Sequence, residues 1–149
     1  MINFILSIFM NMETYYHGSH ALFDRFDLDH ALEGDGKVKF GYGVYVTSKY
    51  TSAAHYSGAN PNSTDHYVYT VEIPERTSTN CIAFKEPVHP TILAAAEARL
   101  GETLPEKYLQ DAGKEFRKFL AMKLTGQKKV TLEGEKAATA FLLSIGVEL

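Results

Sequence analysis

The chain has 149 residues, 45% of them hydrophobic and 22% charged, with a formal net charge of −3. That length suits one domain and leaves no room for a second full one, and the composition excludes wholesale disorder. With 15 basic against 18 acidic residues the chain lacks the basic surplus of a dedicated nucleic-acid binder. The single cysteine, Cys81, excludes an internal disulfide, so a cytoplasmic location is expected.

The chain opens on an apolar run, residues 1–10 (MINFILSIFM). It is shorter than the ~20 residues of a transmembrane helix and lacks the positive start and cleavage site of a signal peptide, so no membrane association is expected. Residues 1–11 are read as an extension ahead of a start at or near Met12; the alternative is an extra strand or helix lying on the core. Residues 12–149 are read as the domain.

Tyr15-Tyr16-His17 reads as a short aromatic strand closed by Gly18-Ser19. Residues 20–37 are polar and acidic and read as a loop with one helical turn. Val44-Tyr45-Val46-Thr47 has the β-branched and aromatic content of a strand. Thr51 to Tyr56 suits a short helix, with Thr47 or Ser48 as N-cap. Residues 60–65 form a turn cluster. His66 to Ile73 is the clearest strand: Tyr67, Tyr69, Val71 and Ile73 share one face, and Pro74 stops it. Cys81 to Phe84 reads as a further strand.

From Pro90 the pattern turns helical. Thr91 to Leu100 is alanine-rich, and Thr103-x-x-Glu106 has capping-box spacing. Tyr108, Ala112, Phe116, Phe119 and Leu120 then share an apolar face, and Gly126 ends that helix. Residues 135–146 predict a last helix, with Ala138, Phe141, Leu142 and Ile145 on one face and Gly146 at its end. Val147-Glu148-Leu149 reads as the opening of a strand. Strands first and helices later is an α+β order.

Most local motifs have ordinary explanations. Gly41-Tyr42-Gly43 precedes a strand instead of opening a helix, which excludes a dinucleotide-binding loop of the Rossmann type. His17 and His20 lack zinc spacing, and Asp24, Asp27 and Asp29 lack that of a calcium loop, so no metal is expected. Asn62-Ser63-Thr64 is a glycosylation sequon with no secretory signal to give it meaning. Three pieces remain: Tyr16-His17-Gly18-Ser19, Phe40-Gly-Tyr-Gly-Val-Tyr-Val46 and Ala53-Ala-His-Tyr56. Singly, each reads as packing.

Together they resemble the His-Tyr-containing ADP-ribosyltransferases, the group with the diphtheria-toxin-like and poly(ADP-ribose) polymerase catalytic domains. His17-Gly18-Ser19 is similar to that family's first motif. Phe40, Gly41, Gly43, Val44 and Tyr45, with Tyr56 eleven residues later, are similar to its second. These motifs cover residues 15–56. A weaker likeness, through residues 69–74 and 135–146, extends over most of 15–149 and is to the domains embedded in phage and mobile-element polyproteins. The resemblance implies a split β-sheet with an NAD cleft and flanking helices, here truncated at the C-terminus.

It also implies roles. His17, Gly18, Ser19, Gly43, Tyr45 and Tyr56 would bind NAD as substrate, and His17, Tyr45 and Glu148 would serve catalysis. The chemistry suits these residue types. Tyrosine faces can sandwich a flat nicotinamide ring. A glycine backbone offers its carboxamide one donor and one acceptor at close range. His17 and Ser19 can bond ribose hydroxyls, and the transition state for losing nicotinamide is oxocarbenium-like, stabilised by oriented charge. Ala53 stands where the family often has a carboxamide-binding serine. The family's third motif supplies a glutamate on a late strand. Here only Val147, Glu148 and Leu149 follow the last helix, and Glu148 is the carboxylate on offer; Glu72 and Glu133 have no motif support.

The expected function is therefore transfer of ADP-ribose from NAD to an unidentified acceptor, protein side chains among the choices. The alternatives are a truncated or degenerate relative acting as a binding domain, and an NAD glycohydrolase. A truncated edge strand would invite pairing with a neighbouring chain.

Overall fold

A computed structural model describes residues 11–30 and 39–148; the apolar run at 1–10, part of the acidic loop and Leu149 lie outside the described residues. The architecture is α+β, with four α-helices and one two-stranded antiparallel sheet among the described residues. These divide into two compact units: the first comprises the chain up to Phe26 together with Tyr45–Glu75, the second Asp27–Val44 together with Arg76 onward.

In the first unit, strand β1 (Met12–Ser19) pairs along its whole length with β2 (Tyr67–Pro74), from Met12 opposite Pro74 to Ser19 opposite Tyr67. Gly18-Ser19 thus forms the last two residues of the strand, which ends there. The period-2 alternation of β2 puts Tyr67, Tyr69, Val71 and Ile73 on one sheet face with Ser19, His17, Tyr15 and Glu13. Helix α1 (Tyr50–Ser57) packs on the opposite face, where Ala53 is fully buried and Tyr50 meets Tyr16 edge-on at 5.6 Å.

The strand expected at Val44–Thr47 does not form. Only Thr47 joins the sheet, exchanging two backbone bonds with Tyr16 at 2.8 and 2.9 Å. The Tyr45 carbonyl, which a longer ladder would direct back to β1, instead bonds the His17 ring. Neither Thr47 nor Ser48 caps α1. The N-cap position is Lys49, and the Thr47 hydroxyl accepts from the Lys49 N–H ahead of the helix.

The second unit is helical. Helix α2 (Pro90–Leu100) starts at proline, with His89 as a side-chain cap, and ends at Gly101 in the left-handed region. Helix α3 (Gly113–Thr125) and helix α4 (Leu132–Ser144) pack together so closely that a Cβ on Gly134 would lie 2.6 Å from the Ala121 carbonyl. Val88, Ile92, Leu93, Ala96, Leu104, Tyr108, Phe116, Leu120, Ala121, Ala138, Leu142 and Val147 form the core, with Phe116 and Leu120 sealed from solvent.

Three local expectations change here. Thr103 and Glu106 form no capping box; Pro105 instead leads a 3₁₀ turn at Glu106–Leu109. Cys81–Phe84 forms no strand, because its neighbourhood serves α3: the Phe84 and Glu86 carbonyls accept from the Lys114 and Gly113 N–H groups, satisfying the orphan donors of that helix start. Val147 and Glu148 open no strand. The Val147 N–H reaches back to the Leu142 carbonyl and the Gly146 N–H to that of Leu143, a Schellman closure of α4 with Gly146 at φ 83°.

Candidate functional site

The motif residues His17, Gly18, Ser19, Tyr45 and Tyr56 all belong to the first unit. His17 Nδ1 lies 2.8 Å from the Tyr45 carbonyl oxygen. A carbonyl only accepts, so Nδ1 carries the proton, and in the neutral ring Nε2 is left as an acceptor. His17 is also set among rings. Phe26 meets it edge-on at 5.1 Å, and Phe23 and Tyr69 lie at 6.2 and 6.3 Å.

Gly18 is constrained on one side and open on another. A Cβ here would stand 1.9 Å from the Ala53 carbonyl oxygen and 2.8 Å from the Ser57 nitrogen, so only glycine lets α1 lie this close to β1. Its peptide groups point elsewhere. Tyr16 directs both its N–H and C=O away from β2 and into the Thr47 bridge. In an antiparallel ladder that direction repeats every second residue, so Gly18 presents its N–H and C=O at the same edge. The ladder ends after one bridge, and among the described residues no further backbone bond takes up this pair. One donor and one acceptor thus lie side by side at the strand edge, next to the residue that holds Tyr45.

Ser19 Oγ accepts from the Ala21 N–H at 3.0 Å, leaving its hydroxyl proton to donate. Tyr45 is 40% and Tyr56 69% exposed, so each offers ring surface; the Tyr56 ring meets His55 at 6.0 Å. Ala53 is wholly buried, with its backbone carbonyl against Gly18. Of the nearby serines, Ser57 is buried and its hydroxyl donates to the Ala54 carbonyl.

Gly43 and Glu148 belong to the second unit. Space around Gly43 is open, whereas Gly41, at φ 115°, lies against the Arg117 guanidinium where a Cβ would collide. Arg117 bonds the Phe40 carbonyl and the Glu135 carboxylate, and the Thr139 hydroxyl donates to the Tyr42 carbonyl at 2.7 Å. The Phe-Gly-Tyr segment is thereby pinned to α3 and α4. Glu148 is exposed, and its N–H donates to the Asn80 carbonyl at 3.0 Å.

No family model, curated protein or solved structure matches this chain. The first unit's geometry therefore carries the functional argument. Among the described residues, no three His, Cys, Asp or Glu side chains group as a metal site requires, and no helix is long and apolar enough to cross a membrane. Sequence reasoning missed Phe23, Phe26 and Tyr69 around His17. The alternation in β2 put Tyr69 on a definite face, but only the register with β1 sets it opposite His17.

Proposed function

We propose that the chain is an NAD-binding, ADP-ribosyltransferase-like protein that cleaves the nicotinamide–ribose bond and passes ADP-ribose to an acceptor. The observation that carries this is the strand edge at Gly18, where an N–H and a C=O lie together beside the residue that fixes Tyr45. A primary carboxamide is their chemical complement. It donates through its NH₂ and accepts through its oxygen, both in one plane.

The other residues take roles consistent with that anchor. Tyr45 and Tyr56 supply ring faces for the nicotinamide, His17 Nε2 accepts from a ribose hydroxyl, and the Ser19 hydroxyl donates to another oxygen of the same nucleoside. As the glycosidic bond breaks, nicotinamide leaves with the bonding electrons and positive charge grows on the ribose. A carboxylate facing the ribose would stabilise that charge.

A second reading rests on its own observation. Val147 and Glu148 are bound to the end of α4 and to Asn80, not to a late strand of the kind that carries the family's third motif. That arrangement favours a relative that binds NAD without turning it over.

Labelled NAD separates the cases. Transfer predicts nicotinamide release with label on an acceptor. Release with free ADP-ribose identifies a glycohydrolase. Calorimetric binding without release, abolished by Tyr56→Ala, identifies the binding-only form. Absence of any NAD or nicotinamide binding refutes the site.

A further inference from the structure

His17 sits near the end of a strand, and the segment beyond it, residues 20–26, has no helix or strand of its own. Yet this segment delivers two rings, Phe23 and Phe26, onto the His17 imidazole. The Tyr69 hydroxyl holds it there. It accepts from the Phe23 N–H at 2.7 Å and donates to the Ala21 carbonyl at 2.9 Å, so one oxygen closes two backbone groups of the segment. The Phe23 ring also stacks on Tyr69 at 4.2 Å with 14° between planes. Tyr69 is itself the cross-strand partner of His17. The phenol is thus rooted in β2 and ties the segment down over the histidine it faces.

We infer that Tyr69 is a positioning residue for His17. By holding Phe23 and Phe26 against the imidazole, it keeps the ring turned with Nδ1–H on the Tyr45 carbonyl and Nε2 available as an acceptor. Without that restraint the ring can turn away from the Tyr45 carbonyl, and once that hydrogen bond is lost either nitrogen can carry the proton. This rests on the proposed NAD site for its functional meaning, since an oriented Nε2 matters only if a hydroxyl is to be bound there. The tautomer it imposes is a property of the protein alone.

The test is Tyr69→Phe, which removes both hydrogen bonds and keeps the ring, compared with Tyr67→Phe on the same sheet face. Two measurements are made on the full chain: the His17 tautomer from long-range ¹H–¹⁵N spectra above the imidazole's titration, and NAD affinity by calorimetry. In the parent protein and in Tyr67→Phe, His17 is the Nδ1–H form. In Tyr69→Phe its ¹⁵N signals move toward a mixture of tautomers, and NAD affinity falls about threefold to tenfold, the range expected for one positioning hydrogen bond. An unchanged Nδ1–H signature in Tyr69→Phe overturns the inference whatever happens to binding. A changed signature with NAD affinity unaltered overturns the functional part of it. If the parent protein binds no NAD, the proposed function fails, and the spectrum alone decides whether Tyr69 orients the ring.

Discussion

Gly18→Ala is the substitution whose cost can be worked most directly from the geometry. The new methyl would meet the Ala53 carbonyl oxygen at 1.9 Å, its carbon at 2.8 Å and the Ser57 nitrogen at 2.8 Å. All three are backbone atoms of α1, so no side chain can swing aside; the helix and strand must part by about 1 Å before the contact is tolerable, and overpacking of this kind costs about 1–3 kcal/mol. Parting them also loosens the enclosure of Ala53, the one fully buried side chain described in the first unit. Urea unfolding followed by circular dichroism should show a midpoint lowered by roughly 1 M, for m-values of about 1–3 kcal/mol/M. Hydrogen exchange should assign the loss to α1 and β1. Gly43→Ala provides the contrast, because nothing lies within 4 Å of its Cβ and its φ is not in the left-handed region. Its effect should stay within about 0.5 kcal/mol. If Gly18→Ala is as mild as Gly43→Ala, or if α1 keeps its parent protection, the close packing of α1 on β1 is wrong.

Three further outcomes are expected. Thr131→Ala removes the hydroxyl that accepts from the Gly134 N–H at the start of α4, and should cost about 1 kcal/mol in thermal or urea unfolding; a neutral result would mean that water replaces the cap. Arg117→Ala leaves the mostly buried Glu135 carboxylate and the Phe40 carbonyl without this partner, and should cost about 1–3 kcal/mol; no loss would show that the pair merely offsets its own desolvation. Burial pushes the Cys81 thiol above its ordinary value, with Arg76 pulling weakly the other way. The folded state thus favours the neutral thiol, and its stabilising contribution, complete below the unfolded thiol's pKa, is lost as pH rises through the folded one. Alkylation of the native protein should lag the urea-unfolded chain near pH 8.5 and catch up at higher pH; equal rates at pH 8.5 would contradict this.

The sequence was most legible where a local rule decides the outcome. The alternation of Tyr67, Tyr69, Val71 and Ile73 marked β2. The glycines at 126 and 146 marked the ends of α3 and α4, and the apolar faces of these helices included Phe116, Leu120, Ala138 and Leu142, all buried. It was least legible where a distant backbone group competes. The first N–H groups of α3 are satisfied by the Phe84 and Glu86 carbonyls, so no capping side chain announces that helix, and the strand-like Cys81–Phe84 is drawn into service as its cap. Val44–Thr47 has strand composition, but a side chain twenty-eight residues earlier, His17, takes the Tyr45 carbonyl and ends the ladder after one bridge. Phe23 and Phe26 were hidden in a segment whose acidic residues read as plain loop, because only the Tyr69 hydroxyl, fixed by the register of β2, brings them to His17.

Gly18 shows how two demands can coincide at one residue. In the motif reading its missing side chain admits a ligand to the main chain, whereas the space a Cβ would fill is taken by α1. These demands act along different directions. Side chains stand roughly perpendicular to a sheet, while N–H and C=O lie in its plane and point across the strand edge. The packing of α1 therefore accounts for the glycine, and the interrupted Thr47 ladder accounts for the open peptide edge. Restoring the ladder would close that edge without touching the glycine, so the availability of a carboxamide-binding pair depends on the hydrogen bond that diverts Tyr45 to His17. It follows that the binding capacity proposed for Gly18 is set by its neighbours' hydrogen bonds, and that His17 contributes to it twice: through its own ring, and by holding the chain at Tyr45 off the strand.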